Sequence, residues 1–401
     1  MKRSTYFYLI LILGSLTALG PFTIDMYLPG FGAIAEDLNT DVSSVGLTLS
    51  SYFIGISAGQ LLYGPLLDRF GRKRPLYLGL LLYILASIGC VLTQNIDQFI
   101  MLRFFQAIGS CAATVASMAM VRDIFPVKEN AKVFALLMLV VGASPMIAPT
   151  AGGYVTTAFG WHAVFIILTV MGILMLLASI FWLPESYKPD TSMSLKPAPI
   201  IRNFWQVMKE PQFYTYTLTG AIAFSALFAY VSASPKVFMD VHHVDKKTFG
   251  WIFAALSVGF IGSSQVNTLA LRRFTSEQIL PVALGVQSLM GLFFVLAVMN
   301  GWLGLWGTLE VLFVLLCCLG FVNPNTAALS LAPFERNAGS ASSLMGALQM
   351  GVGALASVFV SLEEANSAMP LALVMTAAAM LALLVLLVCR RAIGRVKPAE
   401  A

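Results

Sequence analysis

Long apolar runs separated by short polar breaks fill the 401-residue chain from end to end. A helix needs roughly 20 apolar residues to cross a bilayer. Runs of that length fall at about 6–31, 43–67, 76–94, 98–121, 131–156, 162–183, 212–235, 248–271, 279–300, 304–331, 340–361 and 370–390. The pattern predicts an all-α membrane protein with twelve transmembrane helices. The longest polar stretch, Pro184 to Gln212, lies in the middle and divides the spans six and six. We therefore expect an N-terminal half over 1–184, a cytoplasmic linker over 185–211 and a C-terminal half with a cytoplasmic tail over 212–401. Within the linker, IIRNFWQVM has an amphipathic character and is an alternative candidate for a helix on the inner membrane surface. A faint repeat supports two pseudo-symmetric halves: LLDRFGRKRPLYLG after the second span is echoed by ALRRFTSEQILPVALG after the eighth.

Composition sharpens this picture. With 58% hydrophobic and 11% charged residues, the chain lies outside the soluble globular range, and lipid is the solvent for most of its surface. The formal charge of +5 invites a nucleic-acid reading, which fails on distribution, because the basic residues sit in short loops between spans. Of the 24 basic residues, Lys236, Lys246 and Lys247 fall on one side and Arg103 within a span, and the remainder fall on the side of both termini. By the positive-inside rule both termini are cytoplasmic. The opposite loops are short and acidic, with Glu36, Asp37, Asp41, Asp97, Asp240, Asp245, Glu363 and Glu364.

The start, MKRSTYFYLILILGSLTALG, resembles a signal peptide, but its apolar run continues to Gly32, so we expect it to stay as the first span. Neither the five cysteines nor the three histidines show metal-ligand spacing, so no metal or other cofactor is expected. No G-x-x-x-x-G-K-[ST] loop occurs, which leaves an ion gradient and not nucleotide hydrolysis as the energy source. The intramembrane ionisable set is Asp25, Arg103 and Glu310, too sparse and too scattered for an enzyme.

Asp25 carries the candidate chemistry. It lies in LGPFTIDMYLPGFG, Leu19 to Gly32, inside the first span. An aspartate at the centre of a spanning helix costs about 2.5–3.5 kcal/mol on insertion scales, so it has to face protein or water, or carry a proton. Pro21 and Pro29 each remove an amide donor from the same helix, so backbone near Asp25 is expected to open toward a cavity. The first span runs outward and the fourth inward, which puts Arg103 at a depth comparable to Asp25, within reach of a shared hydrogen-bond network. Glu310, just below Trp302 and Trp306 in the tenth span, is either a second titrating group or a side chain reaching the outer interface. Tyr27, Tyr52, Phe224, Phe228, Tyr230, Asn323 and Asn325 are candidate walls for flat, partly polar ligands.

The inner loop GQLLYGPLLDRFGRKRPLYLG holds Gly64, Asp68, Arg69, Gly71, Arg72 and Lys73 as G-x-x-x-D-R-x-G-R-K, and here the chain resembles the major facilitator superfamily. RFFQAIGSC, with Arg103 and Gln106, is similar to the family's fourth-helix pattern. GASPMIAPTAGGY, with Pro145, Pro149, Gly152 and Gly153, resembles its antiporter motif, although prolines and small residues also serve close helix packing. Within the family, IDMYLPGFGAIAEDL, RFFQAIGSCAA, MVRDIF and FERNAGSASSL resemble the bicyclomycin-resistance subgroup of drug/proton antiporters, often called Bcr/CflA. The resemblance implies a monomeric exporter of small drug-like molecules in the bacterial inner membrane. It would exchange substrate for protons by alternating access, with Asp25, Arg103 and Glu310 as proton-coupling candidates. It also implies that Asp68, Arg69 and Arg72, on the turn made by Gly64 and Gly71, pair with the opposite half and act as a conformational gate. The alternative is the same fold carrying a defined metabolite such as a sugar, nucleoside or amino acid.

Overall fold

A computed structural model describes residues 3–190, 197–334, 338–362 and 367–396. Among these the chain is helical and has no strand. The helices are α1 (Arg3–Asp25), α2 (Phe31–Asp37), α3 (Val42–Phe70), α4 (Lys73–Leu92), α5 (Ile96–Ile124), α6 (Val127–Phe159), α7 (His162–Phe181), α8 (Pro197–Met208), α9 (Pro211–Pro235), α10 (Lys246–Ala270), α11 (Ser276–Met299), α12 (Leu305–Leu331), α13 (Ala338–Leu362) and α14 (Met369–Val396). Among the described residues 12 stretches are long and apolar enough to span a membrane, as expected. Of the charged residues used to orient the chain, Lys2, Lys196, Arg336, Lys397, Glu363 and Glu364 lie outside the described residues, as does part of FERNAGSASSL.

Local chemistry sets the helix ends. Asp41 opens α3 by accepting from the Ser44 amide at 2.6 Å and the Ser44 hydroxyl at 3.1 Å, and the amide bond holds its carboxyl below the usual range. Asn95 does the same for α5 through the Gln98 amide at 2.8 Å, and Thr275 and Gln278 form a capping box on α11. α3 ends at Gly71, whose φ of +82° lies in the region that disfavours a side chain.

Two compact units emerge, Met1–Lys196 with Asp245–Ala254, and Pro197–Val244 with Ala255–Ala401. This departs from the expected division at three places. Glu185 to Asp190, expected to begin the linker, lies back on the first unit, with the Asp190 amide donating to the Asp68 carbonyl at 3.2 Å. Its later part is not plain linker: α8 packs in the second unit, where Val207 joins Phe213 and Ala341 in a buried cluster and Asn203 donates to Ser340 at 2.9 Å. Its other face leaves Ile201 and Trp205 exposed, which is the amphipathic alternative. The first turns of α10 group with the first unit because backbone meets backbone there. A Cβ on Gly153 would overlap the Lys246 carbonyl, one on Gly250 would meet Thr150, and Thr150 donates to the Gly250 carbonyl at 3.1 Å.

Close backbone approach also builds the core of the first unit. On α5, a Cβ at Gly109 would sit 2.5 Å from the Tyr83 amide and 2.6 Å from the Gly79 carbonyl of α4. Gly109→Ala therefore has to separate two backbones, at a cost of about 1–3 kcal/mol, whereas Gly262→Ala meets nothing within 4 Å. In thermal unfolding of the detergent-solubilised protein, Gly109→Ala should lower Tm by several degrees and Gly262→Ala should leave it unchanged or raise it.

Candidate functional site

The break in the first span follows from one missing donor. The Asp25 carbonyl would accept from the amide four residues on, and that residue is Pro29, so α1 stops at Asp25 and the chain passes through a short 3-10 turn, Leu28–Gly30, into α2. The carbonyls of a last turn have no intrahelical donor. Phe22 recovers one from the Met26 amide at 3.0 Å, and the Thr23 carbonyl takes Arg103 Nη2 at 3.1 Å. A cation at a helix C-terminus also lies favourably in the helix dipole.

Arg103 on α5 is 0% exposed. Its guanidinium lies against the ring of Tyr27 at 4.3 Å and that of Tyr52 at 4.4 Å, with Phe165 of α7 at 5.7 Å. Nη1 donates to Gln106 Oε1 at 2.6 Å, and Gln106 Nε2 donates to Ser87 Oγ at 2.7 Å. Hydroxyls then fix each aromatic: Tyr27 with Thr48 at 2.9 Å, Tyr52 with Ser110 at 2.7 Å, Tyr83 with Thr23 at 2.8 Å. Arg103 Nε alone in this network is buried without a partner. Among the described residues no carboxylate pairs with Arg103.

Asp25 itself is 4% exposed. The network expected to join it to Arg103 holds no direct bond between the two side chains, because the guanidinium donates two residues earlier, to the Thr23 carbonyl. The expected opening beside Asp25 is closed, since Gly152 of α6 brings its backbone against the Met26 carbonyl where any Cβ would collide. Pro145 and Pro149 lie inside a continuous α6. Tyr27 and Tyr52, expected as ligand walls, are fully buried and hold Arg103. Thr23, Thr48, Tyr83, Ser87, Ser110 and Phe165 were not anticipated. The polar ones among them carried a signal, hydroxyls inside apolar spans, that became specific only once the helices were assembled.

A second cluster sits at the loop after α3. Arg72 donates from Nη1 to Asp68 at 2.7 Å and from Nε to Asp123 at 2.8 Å, and stacks on Tyr187 at 4.1 Å. Burial disfavours its charge, yet the bonds to Asp123 and Asp68 outweigh that and raise its pKa above the ordinary value. Glu185 accepts from the Arg72 and Lys73 amides at 2.8 and 3.1 Å, capping α4. Arg69 lies over Phe70 at 5.7 Å, and Gly64 is half-buried within α3. The expected partner of Arg72 was a charge in the opposite half; Asp68 and Asp123 both belong to its own unit.

In the second unit the candidate residues separate. Phe224 packs on Phe228 at 5.4 Å and Phe260 at 6.1 Å, and Phe228 and Tyr230 are buried. Asn323 and Asn325, two residues apart on α12, point to different neighbours: Asn323 accepts from Gln349 at 3.0 Å, and Asn325 donates to Asn267 at 2.8 Å. Glu310 is exposed and shares its helix face with exposed Trp306 and Phe313, so it has no part in a buried network. The physical reason is helix rotation: in the same turns of α12 the opposite face carries Thr308, Val311 and Leu312 into the interior, which turns Glu310 outward.

The sequence profile of the Major Facilitator Superfamily matches residues 13–357. A bicyclomycin resistance protein homologue of Haemophilus influenzae is 32% identical, over 96% of this chain and 96% of its own. A chloramphenicol resistance protein of Pseudomonas aeruginosa is 29% identical, over 90% of this chain and 85% of its own. Among solved structures, a bacterial homologue of the human lysosomal transporter Spinster superposes with a TM-score of 0.75 over 100% of both chains at 15% identity, a likeness of fold.

The two ion pairs of different exposure give a stability test. The side chains of Arg72 and Asp123 are 8% and 16% exposed at 2.8 Å, whereas Arg390 and Glu277 are 47% and 54% exposed at 3.9 Å. Asp123→Asn should cost about 1–3 kcal/mol, and Glu277→Gln less than about 1 kcal/mol. Thermal unfolding at low and high salt checks this: the Asp123→Asn loss should persist in high salt.

Proposed function

Because the chain belongs to the major facilitator superfamily, in the branch that holds bicyclomycin-resistance proteins, we propose that it exports small drug-like molecules across the bacterial inner membrane in exchange for protons. The observation that carries this reading is a buried carboxyl, Asp25, at a proline-made helix break whose preceding turn offers the Thr23 carbonyl to a buried guanidinium, Arg103, with which no carboxylate among the described residues pairs. The relatives' names, bicyclomycin and chloramphenicol resistance, support the substrate class. Membrane potential supplies about 2.3 kcal/mol per charge per 100 mV, before any pH difference, so protons suffice as the energy source without a cofactor. The excess of basic residues on the side of both termini supports cytoplasmic ends. The protein acts as a monomer in this reading.

Asp25 takes a proton from the outer side and gives it up toward the cytoplasm, by alternating exposure of one site to the two faces. Ionised, Asp25 draws Arg103 away from the Thr23 carbonyl or binds a substrate group in its place. Protonated, it leaves Arg103 where the tyrosines and Gln106 hold it. Proton and substrate thus compete for one carboxyl, which is the requirement for exchange. Asp68, Arg69 and Arg72 bias which face is open without touching the ligand. Together Asp25 and Arg103 nearly cancel in charge, so neutral or zwitterionic compounds are carried at least as readily as cations.

Asp25→Asn in proteoliposomes should still bind ligand and should lose accumulation driven by a pH gradient, while ligand binding to the wild type should release protons. Normal gradient-driven accumulation by Asp25→Asn would make Asp25 structural and sink the coupling reading. Asp68→Asn should lower transport rate by more than its effect on ligand Kd, measured on the same reconstituted protein; an unchanged rate would remove the gating role.

A further inference from the structure

With 12 residues, α8 rises about 18 Å, too little to cross roughly 30 Å of hydrocarbon. Its level is set by the helices it touches. The Lys209 amide closes it on the Trp205 carbonyl at 3.2 Å, and the Glu210 amide on the Val207 carbonyl at 3.2 Å. The spanning helix α9 starts at the next residue, Pro211, so α8 ends where a span begins. Its middle is held at the same boundary. Asn203 donates to Ser340 in the first turn of α13 at 2.9 Å, and Val207 clusters with Phe213 of α9 and Ala341 of α13, against Leu331 at the end of α12. The helix therefore runs along the ends of three spans.

Successive helix residues turn by about 100°, which sorts α8 into three strips. Asn203, Phe204 and Val207 are half-buried or buried and make up the strip on the bundle. Next around the axis come Ile201 and Trp205, four residues apart and each 63% exposed. Beyond them lie Arg202 and, one step past the helix end, Lys209, both exposed and in no ion pair among the described residues. No aspartate or glutamate occurs in α8. An apolar strip set between a packed face and a basic face is the order required of a helix lying in the membrane interface. The apolar strip enters the acyl boundary, tryptophan is favoured at that depth, and the cations reach headgroup level on their apolar stems.

We infer that the exposed face of α8 is a docking surface for anionic phospholipid, with Ile201 and Trp205 in the acyl boundary and Arg202 and Lys209 on lipid phosphates. Charge decides the occupant, because two cations on a helix without an acid complement an anionic leaflet and gain nothing from a neutral one. The opposite face of α8 holds the ends of α9, α12 and α13, so lipid bound here steadies the end of the unit where those helices meet. The surface is independent of what the protein carries.

Full-length protein in nanodiscs of equal parts phosphatidylglycerol and phosphatidylcholine tests this, with bromine on the acyl chains of one lipid or of the other as a contact quencher of tryptophan fluorescence. The share due to Trp205 is the wild-type signal less that of Trp205→Phe. Brominated phosphatidylglycerol should quench that share at least about threefold more than brominated phosphatidylcholine, since each basic residue near the surface favours anionic lipid by up to about fivefold. Arg202→Gln combined with Lys209→Gln should make the two arms equal, and high salt should do the same to the wild type, because exposed charges are screened. Both side chains are exposed and in no ion pair, so the double variant should keep the wild-type Tm in detergent. Equal quenching in the two arms for the wild type, or a preference kept by the double variant, would overturn the anionic headgroup site. Quenching of Trp205 by neither lipid, as a second copy or another protein over this face would give, would overturn docking on the membrane.

Discussion

A guanidinium inside an apolar helix bundle keeps its five N–H donors and its charge at every accessible pH, so the surrounding chain has to supply neutral stabilisation. Arg103 receives it from two tyrosine faces, one amide oxygen and one backbone carbonyl. Each of these groups is fixed in turn. Tyr27 and Tyr52 need Thr48 and Ser110, Gln106 needs Ser87, and the Thr23 carbonyl is available because Pro29 ends the helix two residues later. One buried cation therefore ties together α1, α3, α4, α5 and α7, and the network is held as a whole.

The same demand that polar groups be met from within explains the small residues. Gly109 and Gly152 bring backbone against backbone, which packs helices where lipid offers no hydrophobic drive for association. At the loop after α3, a polar setting allows a different device. Arg72 is clamped by Asp68, Asp123 and the Tyr187 ring, and Glu185 secures the following helix start through two amides. One buried arginine is held by carboxylates and the other by neutral groups. The first is suited to holding a shape, and the second to exchanging its partners.

The second unit contrasts with the first in chemistry. Its polar pairs within the bundle are amides and hydroxyls: Asn325 donates to Asn267, half-buried Gln349 donates to half-buried Asn323, and Ser232 pairs with Ser357.

Sequence by itself determined the spans, because bilayer thickness sets a length that hydropathy reports directly, and it located Asp25, Arg103 and Arg72 because charge inside or between apolar runs is conspicuous. Pro29 could also be read as the residue that ends the first helix, since a missing amide is a local property. Partners were not legible. Whether Arg103 meets Asp25 or the Thr23 carbonyl, and whether Asn323 and Asn325 share a site or divide between Gln349 and Asn267, depends on helix rotation and on angles of contact between helices remote in sequence. Those are decided by packing, where a single glycine such as Gly152 sets how near two backbones come. The tertiary structure also decided that Glu310 is exposed: burial belongs to the assembled bundle, and no run of residues carries it.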